Sequence, residues 1–226
     1  ARGQIPGHQF VHRMARVPAM SVNTTGTVWD VNDTTYPWSA WDTADTISIA
    51  RADAGDADKN VIVTGLDENY NEFTETITLA AASGNTSTND FKRIEAVRMN
   101  GTSINVGNIT VTKGGTTVAR INAGVGQSLM GIYTVPAGYT AYLYQGVMTI
   151  QEGADATGTF LYRVPGDRFI IGHTFEVASS EYTYGFTCPF GIPEKSDLDV
   201  QSSVRTTNAL VTAAYDLILI QNGGPL

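Results

Sequence analysis

From residue 26 onward, short apolar–polar alternations are separated by clusters of Gly, Asn and Asp, a pattern that predicts strands joined by tight turns. The cleanest alternation runs through residues 73–80, where Phe73, Glu75, Ile77 and Leu79 interleave with Thr74, Thr76 and Thr78. Its hairpin partner is VIVTGL, residues 61–66, across the turn DENYNE. GTVWDV around Trp29 predicts a first strand, and TISIA, residues 46–50, a second. In FKRIEAVRMNG, residues 91–101, Phe91, Ile94 and Val97 have helical spacing. The strand-forming neighbours and the closing Asn100-Gly101 favour a strand there. NITVT and TTVARI flank Lys113-Gly114-Gly115, whose glycines supply the positive φ that a primed hairpin turn requires. AAASGNTSTN reads as a loop, and INAGVGQS, residues 121–128, as a domain boundary.

The second half repeats this logic with longer strands. SLMGIYTVP and YTAYLYQGVMTIQEG are joined by Pro136-Ala137-Gly138, which suits a type II turn. TGTFLYRVPG, RFIIGHTFEVA, EYTYGFTCPFGIP and SDLDVQSSVR follow. ALVTAAYDLILIQ is apolar on both faces and is expected at the centre of a sheet, buried on both sides. The pattern predicts an all-β chain: an extended N-terminal arm over residues 1–25, then two β-sandwich or jelly-roll-like domains over 26–122 and 123–226.

Charge sharpens the picture of the arm. Residues 1–29 hold no Asp or Glu, and their three arginines carry +3, so the net −8 of the 226-residue chain leaves −11 on the remainder. Pro6 and Pro18 interrupt any long helix, and no apolar run marks a standard secretory signal. The segment reads either as a frayed terminus or as an extended arm whose Arg2, His8, His12, Arg13 and Arg16 dock on an acidic surface of a neighbouring subunit. Only 16% of residues are charged, against roughly 25% in an ordinary domain. A chain so poor in Glu, Lys and Gln is not all-α. Its acidic balance argues against general nucleic-acid binding, and no apolar run reaches the length of a membrane span.

Candidate chemistry is sparse. His173 reads as a structural or surface strand histidine and the single cysteine, Cys188, as a small buried hydrophobe. Gly126–Gly131 misses the G-x-S-x-G spacing by one residue, and no phosphate loop, dinucleotide fingerprint or zinc spacing occurs. Asp53, Asp56 and Asp58 crowd one loop in a way that hard cations favour, but ordinary turn chemistry explains them as well. Glu194, Asp197 and Asp199 read as a turn and a solvated strand start. No catalytic residue, metal ligand or cofactor is assigned. Trp29, Tyr36, Trp38 and Trp41, with Tyr139 near a later turn, can plug the ends of a sandwich, anchor a subunit interface or stack on sugar rings.

VTGLDENYNEFTETITL followed by FKRIEAVRMNGTSINVGNITVT resembles virion structural proteins of tailed bacteriophages, marine ones in particular. YTVPAGYTAYL, CPFGIPEKSDLDVQ and AAYDLILIQN are similar to segments of such proteins too. The resemblance implies a non-enzymatic virion component assembled in the host bacterial cytoplasm. Its partners would be further copies of itself, as a homo-oligomer and most simply a trimer, and the major capsid protein or neck and tail proteins. Nucleic acid and membrane are not expected as partners. A capsid-decorating (cement) role leads, with neck or tail attachment and carbohydrate-type receptor binding as the alternative.

Overall fold

In the computed structural model, which describes residues 5–223, the chain is all-β, with two single-turn 3-10 helices, Trp38–Trp41 and Ala54–Asp56, among the described residues. The strands in chain order begin with β1 (His8–Met20) and β2 (Thr25–Thr27). There follow β3 (Ser48–Arg51), β4 (Asn60–Leu66), β5 (Glu72–Thr78), β6 (Asn85–Thr86), β7 (Arg93–Met99), β8 (Ile109–Lys113) and β9 (Thr116–Ile121). The last are β10 (Ile132–Thr134), β11 (Tyr139–Ile150), β12 (Asp155–Arg163), β13 (Ile170–Ala178), β14 (Glu181–Ile192), β15 (Asp197–Val204) and β16 (Ala209–Gln221).

These strands belong to two compact units, and the division corrects the expected domain layout. The first unit takes residues up to 35 and again from 130; the second is the continuous stretch 36–129. The second unit is thus inserted into the first. The return crossing falls just after the Gly-rich segment expected as a boundary. The outgoing crossing at 35/36 carries no such mark, because a chain that leaves and re-enters a unit needs no long linker at either point.

In the first unit, one sheet has the order β1-β16-β11-β14. The other runs β10-β15-β12-β13, with β2 also paired to β15. All pairings are antiparallel. Val17, Leu143, Tyr215 and Leu217 from one sheet share a single core with Ala156, Phe160, Val177 and Val200 from the other. β16 is central, with β1 as its neighbour on one side, but it is not buried on both faces: Leu210 is exposed and Thr212, Ala214, Ile218 and Ile220 are half-buried. The predicted strand around Trp29 is only the short β2, and Trp29 itself bridges to Met130.

The second unit has two sheets, β6-β3-β8-β9 and β5-β4-β7. The β4–β5 and β8–β9 hairpins sit where the alternation placed them. Gly114 and Gly115 have φ of 54° and 81°, the left-handed values that a primed turn needs. The ambiguous segment is strand β7, whose Ile94, Val97 and Met99 are buried.

Candidate functional site

The segment expected as a detached arm is a sheet edge. β1 pairs along one side with β16 from His8↔Ile220 to Met20↔Ala209, and among the described residues its other side carries no strand. The cause is β16: thirteen residues, central and apolar on both faces, leave a backbone ladder that needs a partner on each side. Ala15, Val17 and Met20 point inward and are buried. Arg13 lies on that side too, its guanidinium carbon 4.7 Å from the centre of the Tyr133 ring. Phe10, His12 and Met14 point outward, and Phe10 and Met14 each remain 49% exposed. Arg16 is half-buried, with Nε out of contact with solvent and bonded to none of the described residues. Arg2 lies outside the described residues.

The outward face of this sheet has a polar centre between apolar rows. Phe10 stands across from Ile218 and then Tyr142, and Met14 across from Ala214 and then Val147. Between them, His12 Nδ1 is 2.6 Å from Asp216 Oδ1. Gln145 Nε2 donates to Asp216 Oδ2 at 2.7 Å. These three residues, with Gly146, Thr183 and Ala214, line a cavity of about 290 Å³. The arrangement fixes an imidazole by a carboxylate, as a hydrolytic dyad would. No hydrogen bond joins His12 to a hydroxyl or thiol among the described residues. His8 Nδ1 lies 3.0 Å from the Pro6 carbonyl oxygen, closing the turn into β1.

The proposed aromatic patch is not a surface feature. Trp29, Tyr36, Trp38 and Trp41 are all buried. Trp41 Nε1 donates to Tyr36 Oη at 2.9 Å, and the Tyr36 and Trp38 rings meet edge-on at 4.9 Å. Two buried cations hold this loop in place. Arg93 donates to the Trp41 carbonyl oxygen at 2.9 Å, and Lys113 Nζ to that of Ala40 at 2.8 Å and to that of Thr43. Burial pushes the Lys113 ammonium below its ordinary pKa. Neither cation is legible from local sequence, because a lysine beside Gly-Gly looks like a solvated turn residue. Tyr139 is half-buried, its hydroxyl accepting from Gln9 Nε2 at 3.3 Å.

The aspartate loop is a staple. Gly55 N–H donates to Asp53 Oδ1 at 2.7 Å, and Asp58 occupies a left-handed turn position with φ 60°. Asp56 is fully buried, accepting from the Val106 and Gly107 N–H groups at 2.8 Å each and from Lys59 Nζ at 2.9 Å. Burial opposes its ionisation, but these donors outweigh it and hold the carboxyl below its ordinary pKa. Among the described residues, no group of three or more His, Cys, Asp or Glu side chains could hold a metal ion.

Two further expectations are corrected. Asp197 and Asp199 are buried, not solvated. Asp197 accepts from Thr134 Oγ1 at 2.7 Å and pairs with Arg163 at 2.8 Å; Asp199 accepts from Thr27 Oγ1 at 2.8 Å. Cys188 is exposed, because strand β14 lies at the edge of its sheet and turns this residue outward. His173 packs among Tyr184, Phe175 and Phe186 at centroid distances of 5.2, 5.6 and 5.9 Å. Glu194 accepts the Gly138 N–H, which pins the type II turn.

No family model matches this chain, and no curated protein matches it. Among solved structures, the chain is similar at 9% identity and a TM-score of 0.29 to infectious bursal disease virus, Gx strain, over 96% of this chain and 73% of that one. A second similarity, to T=1 particles derived from infectious bursal virus, has 10% identity and a TM-score of 0.23, over 96% and 70%. Scores this low do not establish a common fold. No described helix is long and apolar enough to cross a membrane.

Proposed function

We propose that this protein is a non-enzymatic structural component of a virion, working by contacts between copies and with neighbouring shell proteins. The observation that carries the reading is strand order. β1-β16-β11-β14 faces β2-β15-β12-β13, which is the pairing of eight strands in a double Greek key. That order supports a jelly roll for the first unit, an architecture shared by viral capsid and lectin domains. The two sheets of the inserted unit support the simpler β-sandwich reading. Because a fold does not fix a function, the surface must choose between shell and lectin. Burial of Trp29, Trp38 and Trp41 takes these rings out of reach of a sugar, which favours the shell reading. The open, acid-free edge of β1 on an otherwise acidic chain favours association.

Within this reading, the sequence resemblance favours a tailed bacteriophage and a capsid-decorating role, with neck or tail attachment as the second reading. Imaging the particle tests both. Hundreds of copies spread over the shell support decoration; six or twelve at one vertex support the neck or tail. Absence from purified particles refutes the virion reading altogether.

A further inference from the structure

We propose that β1 of one copy pairs antiparallel with the free edge of β5 of another, joining copies head to tail. The idea builds on the proposed function only in that copies must associate; the contact is tested on purified protein.

Both strands end their sheets. β1 is paired on one side by β16, and β5 on one side by β4. They are of opposite charge. β1 carries Arg13, Arg16 and two histidines with no acid, while β5 carries Glu72 and Glu75 with no base. One antiparallel register places Arg16 opposite Glu72 and Arg13 opposite Glu75. The same register brings Val11 to Ile77 on the core side and Phe10 to Thr78 on the solvent side. Inward residues thereby meet inward residues and outward meet outward, which sheet pairing demands. A parallel alignment that brings the same charges together sets the outward Arg16 against the inward Glu75, so it fails that requirement.

Arg16 and Glu72 decide the contact. The other pair is engaged within the chain, Arg13 against Tyr133 and Glu75 with the Thr88 N–H at 2.6 Å and the Asn89 N–H at 3.1 Å. Arg16 offers a buried Nε without a partner among the described residues, and Glu72 is exposed. An exposed Phe10 and Met14 flank the edge and lose solvent contact when a strand is added. Because the two surfaces differ, one such contact leaves a β1 edge and a β5 edge open on the pair, where further copies can add or the pair can close reciprocally.

Sedimentation velocity over a concentration series reads the outcome. The wild-type chain should self-associate, more weakly at high salt. Arg16→Glu and Glu72→Arg should each weaken association by about tenfold or more, since attraction becomes repulsion across a strand pair. Mixing the two variants should restore assembly, as should combining both changes in one chain. Unimpaired folding of each variant is checked by its thermal midpoint. A monomeric wild type, association unmoved by either change, or a mixture that stays apart overturns the proposal. Association sensitive to Arg16→Glu alone would instead indicate β1–β1 pairing and overturn it as well. Each of these results leaves the virion reading to be decided by imaging.

Discussion

The Lys113 ammonium lies 4.7 Å from the ring centre of Trp41 while donating to the carbonyl of the residue before it, Ala40. One buried cation thus grips both the face of a tryptophan and the end of its 3-10 turn. Lys113→Met keeps the stem and deletes the donor, leaving the Ala40 and Thr43 oxygens unpaired. It should lower stability by about 1–3 kcal/mol, read as a shift of the urea midpoint.

Asp56 makes the inserted unit acid-sensitive in a defined direction. Its carboxyl titrates below the ordinary value of 3.8 when folded, so the unfolded chain takes up the proton first as pH falls. The stabilisation is fully present above that value and is lost as pH drops through the folded pKa. Asp56→Asn should cost about 1.5–3 kcal/mol at neutral pH. The gap to wild type should close below about pH 4, measured by denaturant titrations at several pH values.

Gly65 tolerates no side chain. An added Cβ would stand 2.2 Å from the Arg93 carbonyl oxygen and 2.6 Å from Phe91 Cδ1, within the β4–β7 pairing. Gly65→Ala should destabilise by about 1–3 kcal/mol or more, as a drop in thermal midpoint.

Cys188 should react in the native state. One equivalent of a thiol reagent should be consumed by the folded protein without denaturant, because the side chain is exposed. Reaction only after unfolding would contradict that placement.

Removing residues 1–20 should damage the fold rather than merely release a tether. It strips β1 from β16 and takes Ala15, Val17 and Met20 from the core. Burying a Val or Met side chain is worth about 1.5–3 kcal/mol, so the truncated chain should melt far below wild type or aggregate through the bared β16 edge.

How legible this protein was depended on whether a residue's neighbours were near in sequence. The β4–β5 and β8–β9 hairpins follow from alternation and turn glycines alone, because their partners are a few residues away. β1 was hidden. Apolar residues fall on both its faces, with Phe10 and Met14 outward and Val11, Ala15 and Val17 inward, so no period shows. Its partner is about 200 positions on: His12 meets Asp216 across a separation of 204. Asp56, Asp197 and Asp199 resembled solvated turn acids because their donors arrive from distant strands. The tryptophan cluster was found, but its burial depends on Arg93 and Lys113, roughly fifty and seventy residues further along.

The pairing of β1 with β16 also sets an order of events during synthesis. Strand β1 leaves the ribosome well before its ladder partner β16, which pairs with it from His8↔Ile220 to Met20↔Ala209. Residues 36–129 form a continuous unit and can close on themselves while β1 waits. Through that interval Phe10, Val11, Met14 and Val17 stand bare on an unpaired strand. The β1 segment of the nascent chain is therefore open to misassembly or chaperone capture until β16 emerges.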